Sequence, residues 1–114
     1  MSYMFYSCQN LTAINLSNFD TAHVTNTSGA FYHCSKLTYI DLTNCDTSHV
    51  TDMRYMFYEC NNLTTIKGVI NMKSCKYYDG MFLNCGKLTG VKIKNPPSGF
   101  DGAGLSSSQY TIVS

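Results

Sequence analysis

Charged side chains are scarce in this chain. Asp, Glu, Lys and Arg make up 13% of its 114 residues, well below the roughly 25% typical of a soluble domain. The formal net charge is +1, so the composition indicates neither nucleic acid nor an anionic membrane as a partner. Neutral polar residues replace the missing charges, with 12 Ser, 12 Thr and 10 Asn. Such a surface of hydroxyl and amide groups suits an extracellular protein.

Long apolar runs and catalytic motifs are also missing. No apolar stretch approaches the ~20 residues that span a bilayer, so no transmembrane segment is predicted. Met1-Ser2-Tyr3 leads directly into repeat sequence, which predicts no signal peptide and a chain that is either cytosolic or a piece of a longer protein. The sequence contains no GxSxG, HExxH, paired-carboxylate or phosphate-loop signal. It therefore predicts neither an enzyme nor a cofactor.

What the chain does contain is a repeat. Four cysteines recur at spacings of 26, 26 and 25 residues, namely Cys8, Cys34, Cys60 and Cys85. The repeats run over residues 4–29, 30–55, 56–80 and, in part, 81–93. A fixed period of this size predicts a solenoid with one supersecondary unit per repeat. We expect an array over residues 1–93 and a C-terminal cap over residues 94–114, with a closing strand at 110–113.

Within one repeat the hydrophobic period changes. Leu37, Ile40 and Leu42 alternate with outward residues, which predicts a strand that recurs in every repeat and stacks into a parallel sheet. Further along, Val50, Met53, Met56, Phe57 and Cys60 have helical spacing and predict a helix of about two turns. The expected fold is an α/β repeat solenoid, a leucine-rich-repeat-like stack with a parallel sheet on one face and short helices on the other.

The repeat unit resembles a known family. Its pattern is Met-Phe-Tyr-x-Cys-x-x-Leu-Thr-x-Ile-Asp-Leu-(Ser/Thr)-Asn-x-Asp-Thr-x-x-Val-Thr-(Asp/Asn)-Met. Over residues 4–93 it is similar to the BspA-type leucine-rich repeat of bacterial surface proteins. The resemblance implies a solenoid displayed outside the cell, with a role in adhesion to host or neighbouring-cell ligands. It implies no catalytic residues. Residues 67–73 depart from the pattern at the local turn of the third repeat, and Met81, Phe82 and Cys85 resume it in register.

Six cysteines invite a metal or disulfide interpretation. Four of them occupy one repeat position and should form a structural ladder of buried thiols. Parallel stacking points their side chains the wrong way for a bridge, and the chain has no CxxC pair that would indicate zinc. A disulfide and a zinc site remain the minor alternatives. His23 and His49 also stack in the repeat, either as solvated turn residues or as a pair that could share a metal or sense pH.

The outward strand positions are the predicted ligand-contact surface. One column contains Ala13, Tyr39, Thr65 and Gly90, and the next contains Asn15, Asp41, Lys67 and Lys92. The contact candidates are Tyr39, Asp41, Thr65, Lys67 and Lys92, with Asp41 opposite Lys67 as an expected charge pair. A purely solvated sheet face is the alternative. Tyr6, Tyr32 and Tyr58 should form an outer ladder on the helix side, either as simple stacking or as a binding surface.

Two functions fit these features. The first is a non-enzymatic extracellular module for adhesion, with a host or neighbouring-cell protein or glycan as its partner. The second is a structural spacer or self-assembly repeat of a larger surface or phage-like protein. Met4 and Phe5 open a standard internal repeat, so we expect the first repeat to be uncapped and to self-associate through its exposed strand.

Overall fold

Six short strands form two parallel sheets in the computed structural model, which describes Cys8 and residues 10–114. The first sheet has the order β1-β2-β3 and the second the order β4-β5-β6. The strands are β1 (Ala13–Asn15), β2 (Tyr39–Asp41), β3 (Thr65–Lys67), β4 (Val69–Asn71), β5 (Val91–Lys94) and β6 (Tyr110–Val113). The expected uncapped start at Met4 and Phe5 lies outside the described residues.

The first sheet has the predicted register. Ile14 pairs with Ile40 and Ile40 with Ile66, so each repeat places the same position on the same rung. These three side chains are buried, because alternating residues of a strand face the core. A parallel strand at the predicted position is therefore confirmed in each of the first three repeats.

The third repeat contains two strands where the others contain one. Gly68 separates β3 from β4 and has a φ of +105°, which a residue with a side chain rarely adopts. A Cβ atom there would lie 2.9 Å from the Leu42 carbonyl carbon. The chain turns at this glycine, so that β3 pairs with β2 while β4 pairs with β5.

The extra strand is balanced by a shorter turn. Ile66 and Met72 are six residues apart, whereas the equivalent Ile40 and Leu42 are two apart. Leu42 and Met72 are equivalent because each donates its N–H to a carbonyl of the next repeat, at 2.8 Å. Beyond Met72 the turn is five residues shorter, since Asp52 follows Leu42 by ten residues whereas its bridge partner Tyr77 follows Met72 by five. The two changes nearly cancel, which explains the spacing of 25 rather than 26.

The predicted helices are wrong, and the described residues contain no helix. The three segments that were expected to be helical, one in each of the first three repeats, are series of tight turns. In each series, alternate N–H groups donate to the carbonyl three residues back, as Ala30 does to Thr27. The intervening N–H groups donate to the next repeat, as Phe31 does to Met56 at 2.8 Å. An α-helix requires every N–H to reach the carbonyl four residues back. The fold is therefore a β-solenoid, with turns rather than helices opposite the sheets.

Positive φ angles explain why these segments cannot be helical. They occur twice in each segment, four residues apart, at Gly29 and His33, at Tyr55 and Glu59, and at Gly80 and Asn84. A right-handed helix needs negative φ at every residue. Glycine in the middle of a short helix is unfavourable, so Gly29 and Gly80 were the sequence signal for turns.

The core consists of side chains stacked from repeat to repeat. Phe31, Phe57 and Phe82 are fully buried, and successive rings are stacked at centroid distances of 5.4 and 5.2 Å with an interplanar angle of 6°. The apolar residues assigned to the predicted helix of the second repeat are buried too. Burial of every third or fourth residue was thus predicted correctly, although turns and not a helix produce that spacing.

The last part of the chain packs against the fourth repeat. β6 (Tyr110–Val113) completes the second sheet beside β5, where a closing strand was predicted. On the turn side, the Phe82 N–H donates to the Ala103 carbonyl at 2.9 Å. Gly104 approaches the backbone so closely that a Cβ atom there would lie 2.8 Å from the Leu83 nitrogen. Across the described residues, no helix is long and apolar enough to cross a membrane.

Candidate functional site

The predicted sheet-face site is assembled in part. Tyr39 pairs with Thr65, and Asp41 pairs with Lys67, so these four residues form the two expected columns. Thr65 and Lys67 are exposed, while Tyr39 is half-buried.

Asp41 differs from the exposed carboxylate that the strand pattern predicts. Its residue is 9% exposed, and Oδ1 accepts hydrogen bonds from the Thr43 N–H at 2.9 Å and the Thr43 hydroxyl at 2.5 Å. These bonds hold the pKa of Asp41 below its usual value, with Lys67 adding a weaker electrostatic contribution. The expected Asp41–Lys67 charge pair is therefore replaced, among the described residues, by a local turn with Thr43.

Lys92 lies in a different sheet from the other candidates. It pairs with Val69 of β4 and not with Lys67, so the predicted column that continues from Lys67 to Lys92 is wrong. The reason is the turn at Gly68, because β5 pairs with β4, which follows this turn, and not with β3, which precedes it. Lys92 remains exposed on β5 but does not extend the surface of the first sheet.

Threonine hydroxyls near the first sheet link the repeats to one another. Thr38 donates both its N–H, at 2.8 Å, and its hydroxyl, at 3.0 Å, to the Thr12 carbonyl. Thr64 makes the same two bonds to Thr38, at 3.0 and 3.1 Å. Hydroxyl protons used in this way are not available to a ligand, which reduces the binding capacity of this strip.

The cysteine ladder is internal. Cys60 Sγ donates to the Phe31 carbonyl at 3.1 Å, and Cys85 Sγ donates to the Phe57 carbonyl at 2.9 Å. Burial raises the pKa of Cys34 to about 11 and of Cys85 to about 12, and it raises the pKa of Cys60 further. Cys8, at the start of the ladder, is half-buried. Thiols with raised pKa values stay protonated at neutral pH and are poor nucleophiles.

The structure brings no metal-ligand set together in the part of the chain that it describes. All six cysteines lie in that part, and none of them is in a disulfide bond. No three His, Cys, Asp or Glu side chains converge among residues 8 and 10–114. His23 and His49 are exposed turn residues, and His49 Nδ1 lies 4.0 Å from Asp46 Oδ2.

Tyrosines form a second surface on the turn side. Tyr32 and Tyr58 are stacked, with ring centroids 4.8 Å apart and an interplanar angle of 16°, as predicted. Tyr6, the other member of the expected outer ladder, lies outside the described residues. Tyr55 meets the Tyr58 ring edge-on, at 5.6 Å and 87°. In the next repeat, Leu83 occupies the position equivalent to Tyr58 and is 43% exposed. We call Tyr32, Tyr55, Tyr58 and Leu83 the turn-side aromatic surface.

Tyr55 is the unusual member of this surface. Its φ is +56°, and its equivalents in the neighbouring repeats are Gly29 and Gly80, which have φ values of +62° and +64°. The tyrosine is 40% exposed, and its ring lies so close to Gly80 that a Cβ atom there would be 2.6 Å from Cδ1. Sequence reasoning missed Tyr55, although a tyrosine aligned with two glycines was a visible signal.

Paired charges border the aromatic surface. The Arg54 guanidinium donates to both Asp52 carboxylate oxygens, at 3.0 and 2.7 Å, and lies 5.1 Å from the centroid of the Tyr77 ring. The Arg54 bonds lower the pKa of Asp52. His33 Nε2 and Glu59 Oε1 are 2.5 Å apart. The charges of Arg54 and Asp52 are thus matched within the chain.

Asn15 and Asn26, each the first residue of an Asn-x-Ser tripeptide, have structural roles. Asn15 Oδ1 accepts from the N–H and hydroxyl of Ser17, at 2.8 and 2.6 Å. Asn26 and Ser28 repeat this turn at 2.9 and 2.7 Å. Asp41 and Thr43 form it with an aspartate in place of asparagine, so the pattern stabilises a turn whichever of the two residues is present.

Stacked parallel strands, an internal ladder and a turn-lined opposite side define a β-solenoid repeat protein. Residues 1–95 match the family model described as "Mycoplasma protein of unknown function, DUF285". Since this match spans most of the 114 residues, the chain belongs to that family. No curated protein and no solved structure matches it.

Proposed function

We propose that this chain is a non-enzymatic extracellular interaction or adhesion module that binds a protein or glycan of a host or neighbouring cell. Its location at the cell surface and its kinship to BspA-type leucine-rich repeats are parts of this proposal. The low charge and the hydroxyl- and amide-rich composition support it. The observation that carries it is the half-exposed Tyr55 at a position where the neighbouring repeats have glycine.

Keeping a tyrosine at this position has a cost for the fold. A non-glycine residue in the left-handed region is less stable by roughly 1–2 kcal/mol. Gly29 and Gly80 avoid that cost at the equivalent positions. Residues with strained backbone cluster at functional sites, and an exposed tyrosine is a frequent centre of binding surfaces.

The neighbours of Tyr55 hold its ring in place. One side of the ring lies over Gly80, whose missing side chain makes the approach possible, and an edge contacts Tyr58. A ring that is already ordered loses little conformational entropy when a partner binds. The turn-side aromatic surface therefore offers a preformed contact area.

The sheet face is the second candidate surface. Tyr39, Thr65 and Lys67 lie side by side there and suit a weak polar contact. Asp41 contributes less than expected because Thr43 already donates to its carboxylate.

A binding screen with two variants tests the proposal. The immobilised chain is exposed to extracellular-matrix proteins and to a glycan array, beside Tyr55→Gly and the double variant Tyr39→Ala, Lys67→Ala. We expect Tyr55→Gly to weaken binding at least about tenfold, equivalent to roughly 1.4 kcal/mol, and the double variant to retain it. Binding that survives Tyr55→Gly but is lost in the double variant would move the site to the sheet face.

A structural spacer is the second candidate function. The hydrogen bonds that link Thr38 to Thr12 and Thr64 to Thr38, together with the stacked phenylalanines, favour a stiff rod. A spacer would tolerate changes at both candidate surfaces. Absence of binding in the screen, with protein shown to be folded by circular dichroism, would favour this function.

A further inference from the structure

The two edges of the second sheet differ in how they are protected. At the β4 edge, Thr47 covers the backbone of Asn71. Its hydroxyl donates to the Asn71 carbonyl at 3.0 Å and accepts from the Asn71 N–H at 2.8 Å. A side chain that occupies both backbone groups prevents another strand from pairing there.

The β6 edge has no comparable protection. β6 pairs with β5 on one side, and no described strand pairs with its other side. Its sequence, Tyr-Thr-Ile-Val, contains no charge and no proline, the two residue classes that usually prevent edge pairing. Aromatic and β-branched residues of this kind favour strand formation.

An apolar side chain is also left open at this edge. Ile70, Ile93 and Ile112 form one column across the sheet. The first two are 1% and 0% exposed, whereas Ile112 is 53% exposed. The other core-side residue of β6, Tyr110, packs edge-on against Phe100 at 5.8 Å. Ile112 therefore lacks the neighbour that covers each of its equivalents.

We propose that β6 is a dimerisation edge that pairs antiparallel with β6 of a second copy of this chain. A two-fold axis at Ile112 would place this residue opposite its own counterpart and Thr111 opposite Val113. This register keeps both cores on the same side of a continuous six-stranded sheet, because alternate residues face the same side. It would cover Ile112 with apolar surface and pair the open backbone groups of both edges.

A second copy fits this edge better than a charged partner. β6 is neutral, so two copies bring no like charges together along the new pair. The nearest cations, Lys92 and Lys94, lie one strand away on β5. Across the dimer the two β5 strands would be about 14 Å apart, beyond the screening distance of ~8 Å at physiological salt. A two-fold contact also closes on itself and does not build filaments.

Sedimentation velocity of the 114-residue chain tests this inference. From micromolar to millimolar concentration we expect a monomer–dimer equilibrium that changes little with salt. Ile112→Lys should raise the dimer dissociation constant at least about tenfold, because it places two charges at the axis. The matched control is Val69→Lys on β4, which changes a 37% exposed residue of the same sheet and should leave dimerisation intact. A wild type that stays monomeric, or that grows into open-ended oligomers, would overturn the inference.

Cross-linking supplies a second measurement that does not depend on the lysine variant. Directly opposed residues of an antiparallel pair have Cα atoms about 4.5–5.5 Å apart, within the range that a disulfide spans. Oxidation of Ile112→Cys with diamide should therefore give a covalent dimer, whereas Val69→Cys and the wild type should not. Equal yields from Ile112→Cys and Val69→Cys would contradict the pairing. The result is independent of the proposed adhesive function, which concerns the turn-side aromatic surface.

Discussion

The sheet side and the turn side of this solenoid use their polar and aromatic groups differently. On the sheet side, Asp41 and the threonine hydroxyls are bonded to the chain's own backbone, so the surface is polar but internally satisfied. On the turn side, Tyr55 is held in a strained conformation with its ring half-exposed. A strand pattern shows which side chains face outward, whereas the chemistry available to a partner depends on which polar groups are not already hydrogen-bonded within the chain.

The largest expected effect concerns the cores of the two sides. Phe57→Ala should lower the free energy of unfolding by about 4 kcal/mol and Ile40→Ala by about 3 kcal/mol. Phe57 loses ring contacts on both faces, to Phe31 and Phe82, and leaves the larger cavity. Urea unfolding of both variants measures the difference. An equal or larger cost for Ile40→Ala would mean that the turn side is not the more strongly packed one.

The next effect concerns the glycine at which the first sheet ends. Gly68→Ala should cost roughly 2–3 kcal/mol, because it combines a positive φ with a Cβ atom too close to the Leu42 backbone. Gly90→Ala is the control, since its φ is +70° and a Cβ atom there meets nothing within 4 Å. Its cost should be about 1 kcal/mol. Equal melting-temperature losses in the two variants would show that steric contact at Gly68 contributes nothing.

Acid titration should show a stabilising aspartate on each side. The pKa of Asp41 is lowered mainly by the Thr43 hydroxyl and that of Asp52 mainly by the Arg54 side chain. A lowered folded-state pKa gives stability that is present above the unfolded value, about 3.9, and is lost as the pH falls through the folded value. Asp41→Asn and Asp52→Asn should therefore both lose less stability than the wild type between pH 5 and pH 2.

Salt should separate these two aspartates. Added sodium chloride should weaken the contribution of Asp52, because Arg54 is a charged and exposed partner. The contribution of Asp41 should change less, because its main partner is a neutral hydroxyl. Thermal unfolding at low and high salt, over the same pH range, gives both responses. A stronger salt response at Asp41 would contradict the assignment of its pKa to Thr43.

The smallest effect on stability is expected at Tyr55. Tyr55→Gly relieves the strain of a positive φ but removes the contacts with Tyr58 and Gly80, so its net change should stay within about 1 kcal/mol. Chemical denaturation measures it, with Tyr58→Ala as a comparison that involves no positive φ. A loss of several kcal/mol in Tyr55→Gly would show that the tyrosine is required for folding, which would weaken its use as support for a binding role.

The sequence predicted the strands of the first sheet and the buried positions, but it predicted helices where the chain forms turns, and it did not predict the second sheet. Ile14, Ile40 and Ile66 alternate with outward residues, and period two has one structural solution. A hydrophobic period of three to four residues fits two structures, because tight turns that pack Met53, Met56 and Phe57 inward produce the same spacing as a helix. The deciding bonds connect each repeat to its neighbour, and a pattern within one repeat does not contain them.

The candidate site was predicted less well for a related reason. The register that pairs Tyr39 with Thr65 follows from the repeat alignment. The commitment of Asp41 to Thr43 and the transfer of Lys92 to the second sheet depend on local side-chain bonds and on Gly68. The unusual conformation of Tyr55 could not be predicted from a helix, because a helix has no residue with a φ above zero.

The turn-side hydrogen bonds give the array a direction. N–H groups of one repeat donate to carbonyls of the repeat that follows, as Phe31 does to Met56, Phe57 to Met81 and Phe82 to Ala103. Each repeat is thus a nearest-neighbour unit whose turns rely on its C-terminal side for acceptors. Opening of residues 100–105 would remove the Ala103 carbonyl, which is the acceptor for Phe82 of the fourth repeat. Unfolding would then proceed from one repeat to the repeat before it. The turns of a repeat therefore depend for their stability on the repeat that follows, whereas Thr38 and Thr64 of the sheet side donate to the repeat that precedes.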